Sequence, residues 1–346
     1  MKTIGILTGG GDCPGLNAAI RAVVRAGMMY NFETLGIRNG WQGLIDGDVE
    51  PLTDFSVSGI LPRGGTILGT SRTNPVENIE DFQKIKNNMK KFGISGLVVI
   101  GGNGTLSAAR EVAARGIPVI GIPKTIDNDI FGTDNTIGFD TAVTIVTEAI
   151  DRLHTTAESH HRIIVIEVMG RNVGWIAVMA GIAGGADAIL IPEVPFTMDE
   201  ICGRLRARYE AGKKFSIVVI AEGSHWEEHD TSHVPDYDKD ECGHEKFLGV
   251  GNVLGKELEL RLGIETRVTI LGHIQRGGSP TSYDRILATR FGIAAVDLIK
   301  AGEFGKMVAL QGSHITSVPL ESAITPLKTV DLELYTIAMT VTGGLK

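Results

Sequence analysis

Leu97-Val98-Val99-Ile100-Gly101-Gly102-Asn103-Gly104-Thr105 is the stretch that decides the fold class. Four consecutive aliphatic residues are what a strand buried on both faces requires. Glycines follow at once, and a helical pattern covers 106–115. The same grammar recurs outward in both directions. Ile4-Gly5-Ile6-Leu7 runs into Gly9-Gly10-Gly11, and Val119-Ile120-Gly121-Ile122 into Pro123-Lys124. Ile163-Ile164-Val165-Ile166 leads to Met169-Gly170-Arg171, and Ile217-Val218-Val219-Ile220 to Ala221-Glu222-Gly223. Strands alternating with helices predict an α/β fold with mainly parallel sheets and right-handed crossovers. Ligands of such sheets bind at the carboxyl ends of the strands, so each residue quoted after a strand faces a potential site.

Composition agrees. The chain has 346 residues, enough for two domains, with 43% hydrophobic and 21% charged residues, which excludes intrinsic disorder. Glycine is the outlier at 45 residues, as many tight strand-to-helix turns would demand. A net charge of −8 disfavours nucleic acid and anionic membranes as partners. Cys13, Cys202 and Cys242 are scattered and make no disulfide framework. Met1-Lys2-Thr3 runs directly into a strand pattern, without the features of a secretory signal. The longest apolar stretch, 175–186, is too short to span a bilayer. A cytoplasmic protein is expected. Asp140 can cap a long helix whose apolar residues are Val143, Val146, Ile150 and Leu153, running to about Ala157 and carrying the chain into a second domain.

Three motifs stand at strand ends. Gly9-Gly10-Gly11-Asp12-Cys13-Pro14-Gly15-Leu16-Asn17 opens a helix, with Pro14 expected in its first turn. Its glycines let backbone N–H groups approach phosphate oxygens, although a plain tight turn would look the same. It is neither GxGxxG nor GxxxxGK[ST], which argues against a dinucleotide fingerprint and a P-loop. The loop 101–105 is a second phosphate-type turn, open to a bulky ligand at its glycines. Pro123-Lys124-Thr125-Ile126-Asp127-Asn128-Asp129 is the sharpest. Extended geometry would put Asp127 and Asp129 on one side. One carboxylate can then take a hydroxyl proton while the other holds Mg²⁺, as phosphoryl transfer needs. A lone Asp-x-Asp is otherwise a solvated turn.

Arg72, Arg162, Arg171, Arg267 and Arg276 with His273 fall beside glycines or strand ends, where arginine forks suit anionic ligands. His225, His229, His233, Cys242 and His244 are metal-capable types, but they lie in an acidic stretch without paired ligand spacing and read as a surface loop.

Together, in order and over nearly the whole chain, these segments resemble the 6-phosphofructokinases. The specific signatures are Thr125-Ile126-Asp127-Asn128-Asp129 and Gly272-His273-Ile274-Gln275-Arg276-Gly277-Gly278. Arg38-Asn39-Gly40-Trp41 and Lys124 resemble the subgroup with both ATP- and pyrophosphate-using members. The resemblance implies two Rossmann-like domains, 1–139 plus 275–325 for the donor and 140–274 plus 326–346 for the sugar phosphate. It implies phosphorylation of fructose 6-phosphate at the 1-hydroxyl, with Mg²⁺. Asp127 would be the base, assisted by Thr125, Arg72 and Arg171. Gly11, Arg72, Thr73, Gly102, Asn103, Gly104, Thr105 and Lys124 would hold the donor. Asp129 and Asn103 would organise Mg²⁺. Met169, Gly170, Arg171 and Glu222 would contact the sugar, and His273 and Arg276 its 6-phosphate. Arg162 and Arg267 would reach it from a neighbouring subunit of a dimer or tetramer.

Departures carry information. Many ATP-using members have an acid where this chain has Asn103, a weaker Mg²⁺ ligand than Asp129. Arg21 and Arg25 match the basic effector pocket of classical bacterial members, but Asp54 and His154 stand at two of its arginines. That argues against control by ADP or phosphoenolpyruvate. Gly104 leaves room for an α-phosphate and nucleoside and points to ATP as donor. Lys124 points to pyrophosphate, but a flexible lysine can move aside where a steric block cannot. Trp41 is either an adenine platform or a core residue. A nicotinamide dehydrogenase, a lipid or NAD kinase and a non-catalytic sugar-phosphate sensor each leave one or more of these motifs unexplained.

Overall fold

The computed structural model describes residues 2–226 and 249–342. In chain order the elements are β1 (Lys2–Thr8), α1 (Leu16–Met29), β2 (Phe32–Ile37), α2 (Gly40–Asp46), β3 (Val49–Leu52), α3 (Ile79–Lys91), β4 (Ile94–Gly101), α4 (Asn103–Ala114) and β5 (Val119–Pro123). Next come α5 (Phe139–His160), β6 (Ile163–Val168), α6 (Trp175–Ala183), β7 (Ala188–Leu190), α7 (Met198–Glu210) and β8 (Ser216–Ala221). The remainder is α8 (Val250–Leu262), β9 (Thr266–Ile270), a 3-10 turn (Gly272–Arg276), α9 (Ser282–Ala301), β10 (Lys306–Gln311), β11 (His314–Pro319), α10 (Leu320–Ala323) and α11 (Leu332–Val341). The contacts divide this chain into residues 1–141 with 276–328, and 142–275 with 329–346.

The first unit is built on a seven-stranded sheet in the order β11-β10-β5-β4-β1-β2-β3. Its centre is parallel; only β2–β3 and β10–β11 at the edges are antiparallel. Apolar residues cover both faces. Ile4, Ile6, Val98 and Ile100 pack with α1 and α9 on one side, and Leu7, Leu97 and Val99 with α2 and α4 on the other. That two-sided burial is why the strand sequences are continuous apolar runs. The second unit has a four-stranded, wholly parallel sheet ordered β7-β8-β6-β9. Ile163, Val165, Val218 and Ile220 form its core with α7 and α8.

Helix boundaries differ from the expected ones where capping decides them. Helix α4 begins at Asn103, with Gly102 as its N-cap, so Gly104 and Thr105 belong to its first turn. Helix α1 begins at Leu16 after Gly15 at φ 110°, which leaves Pro14 outside it. Asp140 lies inside the first turn of α5 rather than capping it, and accepts from the Thr281 hydroxyl at 2.6 Å. Among the described residues no helix is long and apolar enough to cross a membrane. His229, His233, Cys242 and His244 lie outside the described residues; His225 is exposed.

Candidate active site

In the first unit the predicted donor residues converge at the carboxyl ends of β1, β4 and β5. Pairing of β1 with β4 brings the two glycine loops together, and Gly9 N–H donates to the Ile100 carbonyl at 2.9 Å. Thr105, 7% exposed, fills the space between them; a Cβ at Gly9 would meet its side chain at 2.7 Å. Thr105 therefore locks the loops to each other. Gly102 caps α4 in extended geometry, so the first N–H groups of that helix open toward the strand end. A Cβ at Gly104 would meet nothing within 4 Å.

Lys124 is not the mobile ammonium that the sequence suggested. It is 2% exposed, and its Nζ donates to the Gly11 carbonyl. Burial pushes its pKa below the ordinary lysine value, helped by Arg276 and opposed by Cys13, Asp12 and Asp127. Arg276 lies on the same loop, donating to the Asp12 carbonyl at 3.4 Å. Arg72 is exposed, and the Thr73 hydroxyl donates to Gln42 Oε1 at 3.1 Å. Trp41 is 1% exposed in the core, which removes it as an adenine platform.

The Asp-x-Asp segment is a bend, because Asn128 has the left-handed φ of 54°. Alternation survives nonetheless. Thr125, Asp127 and Asp129 are half-buried while Ile126, Asn128 and Ile130 are buried. The Thr125 hydroxyl accepts the Asp127 N–H at 3.2 Å. Asn103 Nδ2 donates to Asp129 Oδ2 at 2.6 Å, and Asp129 Oδ1 is buried without a hydrogen-bond partner. Burial, with Asp127 adding to it, pushes the Asp129 carboxyl up to about 6. An unpaired buried carboxylate oxygen next to an amide is an oxygen donor set suited to a hard divalent cation, so these residues fit Mg²⁺.

In the second unit the predicted sugar residues gather at the carboxyl ends of the adjacent strands β8, β6 and β9. Gly170 has φ 137°, and a Cβ there would meet the Val173 carbonyl oxygen at 2.6 Å, so only glycine suits the turn. Its carbonyl accepts the Gly223 N–H at 3.1 Å, while Glu222 N–H donates to the Val168 carbonyl at 2.9 Å. Met169 is held by Gln275, whose Oε1 accepts its N–H at 3.2 Å and whose Nε2 donates to the Gly272 carbonyl at 3.0 Å. His273, on the turn between them, is exposed.

Arg162 and Arg267 are elsewhere. They stand at the amino ends of β6 and β9, where both engage Glu265; Arg162 Nε lies 2.7 Å from it. The six residues of β6 span about 20 Å. The two arginines are thus at the end of this sheet opposite Met169 and Arg171.

Sequence reasoning missed Gln275, Glu265 and two other partners. Glu193 accepts the Gly174 N–H at 3.0 Å and so anchors the end of the 169–174 loop. Asp284, fully buried, accepts the N–H groups of Gly138 at 3.0 Å and Thr141 at 2.9 Å. Gln275 stands inside a quoted signature and was legible there. Glu193 and Asp284 announce nothing, because the groups they accept from are backbone N–H groups distant in sequence.

Glycine loops and paired carboxylates at strand ends are what phosphoryl transfer needs, and the family match places the chain among the phosphotransferases. The chain matches the phosphofructokinase family over residues 3–299 and belongs to it. It is 53% identical to a pyrophosphate–fructose 6-phosphate 1-phosphotransferase of Streptomyces coelicolor, over 96% of this chain and 97% of that one. It is 52% identical to ATP-dependent 6-phosphofructokinase 3 of the same organism, over 94% and 96%. The crystal structure of Pichia pastoris phosphofructokinase superposes with a TM-score of 0.83 at 32% identity, covering 99% of this chain and 36% of the yeast chain. The chain thus spans about a third of that yeast protein's length.

Proposed function

We propose that the protein is an ATP-dependent 6-phosphofructokinase, passing the terminal phosphoryl group of ATP to the 1-hydroxyl of fructose 6-phosphate in cytoplasmic glycolysis. The observation that carries this reading is the 125–129 turn, with two carboxylates of different standing. Asp127 is half-buried beside Thr125, and Asp129 keeps one oxygen unpaired. Asp127 takes the proton of the acceptor hydroxyl as its oxygen attacks, and Thr125 orients that hydroxyl. Asp129, with Asn103, holds Mg²⁺, which when bound offsets the charge on the donor phosphates. The N–H groups at the start of α4, together with Gly11 and Arg72, receive the phosphates. Lys124 acts from below, holding the Gly11 loop in place rather than meeting phosphate itself. Met169, Gly170, Arg171 and Glu222 bind the sugar, and His273 and Arg276 its phosphate. Positioning and charge neutralisation supply the rate, since phosphoryl transfer needs little covalent help.

The position of Arg162 and Arg267 supports a shared site. About 20 Å of strand separates them from the sugar residues of their own sheet, so they serve a neighbouring subunit in a dimer or tetramer. ATP is chosen as donor because of Gly104. Relatives named for either donor are nearly equal in identity, whereas an open, side-chain-free first turn of α4 accommodates an α-phosphate. The deciding experiment measures fructose 1,6-bisphosphate formation with ATP and with pyrophosphate side by side. A clear preference for ATP is expected. Use of pyrophosphate alone would overturn the donor, and no product with either would overturn the function.

A further inference from the structure

The turn bearing Asp127 and Asp129 is closed from inside by Asn128. Its Nδ2 donates to the Asp134 carbonyl at 3.2 Å and its Oδ1 accepts the Thr136 N–H at 3.1 Å. On one side the turn rests on the β10–β11 hairpin. Asp134 N–H donates to the Leu310 carbonyl at 2.8 Å, and Asp134 Oδ2 accepts the Gly312 N–H at 2.6 Å. Two further carbonyls of the turn, and the Asp134 carbonyl that Asn128 also uses, are taken by one residue almost two hundred positions away. Lys328 N–H donates to the Asp129 carbonyl at 3.1 Å. Its ammonium donates to the carbonyls of Thr133 at 2.9 Å and Asp134 at 2.6 Å. Hydrogen bonds from a charged donor are the strong kind. None of the phosphate-, sugar- or proton-handling roles assigned above uses Lys328.

We infer that Lys328 is a positioning residue, clamping the 129–134 turn so that the unpaired Asp129 Oδ1 stays available to a divalent cation. It acts through the turn, since two of its ammonium bonds go to main-chain carbonyls there. The identity of the cation rests on the functional reading above; the clamp does not. A lysine that merely stapled the chain would also hold these carbonyls. The two roles differ in what its loss does to metal affinity and to sugar affinity.

The test uses the full chain with Lys328→Met, which removes the ammonium but keeps the stem, and Lys328→Arg, which keeps charge and donors. Amide hydrogen exchange is followed across 127–136, and Mn²⁺ binding with a non-hydrolysable ATP analogue by electron paramagnetic resonance. Kinetics are run at saturating Mg²⁺. In Lys328→Met, exchange in the turn accelerates and Mn²⁺ binds about 10-fold more weakly, the usual scale for losing a charged hydrogen-bond donor. kcat falls, KM for fructose 6-phosphate stays within about twofold, and Lys328→Arg recovers most of both losses. Should Lys328→Met not fold, Lys328→Gln, which retains a neutral donor, carries the same comparison. A folded variant with wild-type exchange and wild-type Mn²⁺ affinity overturns the inference. So does a parallel decline of metal affinity, sugar affinity and Tm, the mark of a mere staple. A wild type that binds Mn²⁺ yet transfers phosphate to no sugar would sink the functional proposal alone, leaving exchange and Mn²⁺ binding to judge Lys328.

Discussion

Asn103 donates its side-chain amide to the Asp129 carboxylate at 2.6 Å, joining the first turn of α4 to the bend after β5. The amide steadies one oxygen and leaves the other unpaired. A metal must compete with a proton there, because burial holds the Asp129 carboxyl at about 6. Divalent-cation affinity is therefore expected to be constant above about pH 7 and to fall by roughly tenfold per unit below pH 6. Mn²⁺ titration across this range checks it. Asn103→Asp places a second carboxylate against the first and should shift the fall to higher pH.

Asp127→Asn removes the base while preserving shape. The variant should fold, bind fructose 6-phosphate with nearly unchanged KM and lose about 10²-fold or more in kcat. Retention of wild-type kcat would reassign the proton to another group.

Gly104→Asp is a clean probe of the donor. Its Cβ enters open space, and an acid in the first turn of α4 does not harm the helix. The carboxylate does oppose an α-phosphate by bulk and charge. ATP turnover should be largely lost with Tm unchanged, and pyrophosphate should be the less affected donor. Equal use of ATP by both proteins would remove Gly104 as the determinant.

Arg162→Ala and Asp127→Asn chains should each be nearly inactive alone. Co-assembled, they should regain activity, since some sites would then combine an intact base with an intact neighbouring arginine. Native mass spectrometry establishes the hybrids. Silent hybrids would mean that the two arginines, held by Glu265 at the amino ends of β6 and β9, serve stability only.

Asp284 gives a pH signature of stability. Burial holds its carboxyl at about 6, above its ordinary value of 3.8, so the native state binds a proton there that the unfolded chain has released. The resulting stabilisation is fully present below about pH 4 and is lost as pH rises through 6. Asp284→Asn does not titrate and keeps an acceptor oxygen for only one of the Gly138 and Thr141 N–H groups, at a cost of about 2 kcal/mol or more. Denaturant unfolding should show the gap between wild type and variant widest near pH 4 and narrowing toward pH 7. A gap that widens with pH would contradict the raised pKa.

Much of this protein was legible along the chain, for local reasons. Runs such as 97–100 and 163–166 are short and apolar on both faces, as strands of a covered parallel sheet are. Glycines after those runs located the strand ends, and hence the candidate residues of each unit. Thr125, Asp127 and Asp129 were found because their spacing is short and their chemistry unusual together. What the chain alone could not disclose depended on partners distant in sequence. Lys124 reads as a free cation until Gly11, brought beside it by the sheet order, accepts its ammonium. Trp41 reads equally as a ligand platform or a core residue until the core closes over it. Arg162 and Arg267 read only as arginines near strand ends, expected from the resemblance to reach a neighbouring subunit, until the parallel register puts them at the strand ends opposite Arg171. Lys328 has no local signal, since three main-chain carbonyls of a remote turn define its role. Hydrophobic periodicity and turn chemistry are properties of neighbouring residues, and sequence records them directly. Burial of a charge, and the choice of which backbone carbonyl satisfies it, arise only when strands and loops separated by a hundred residues or more are packed together.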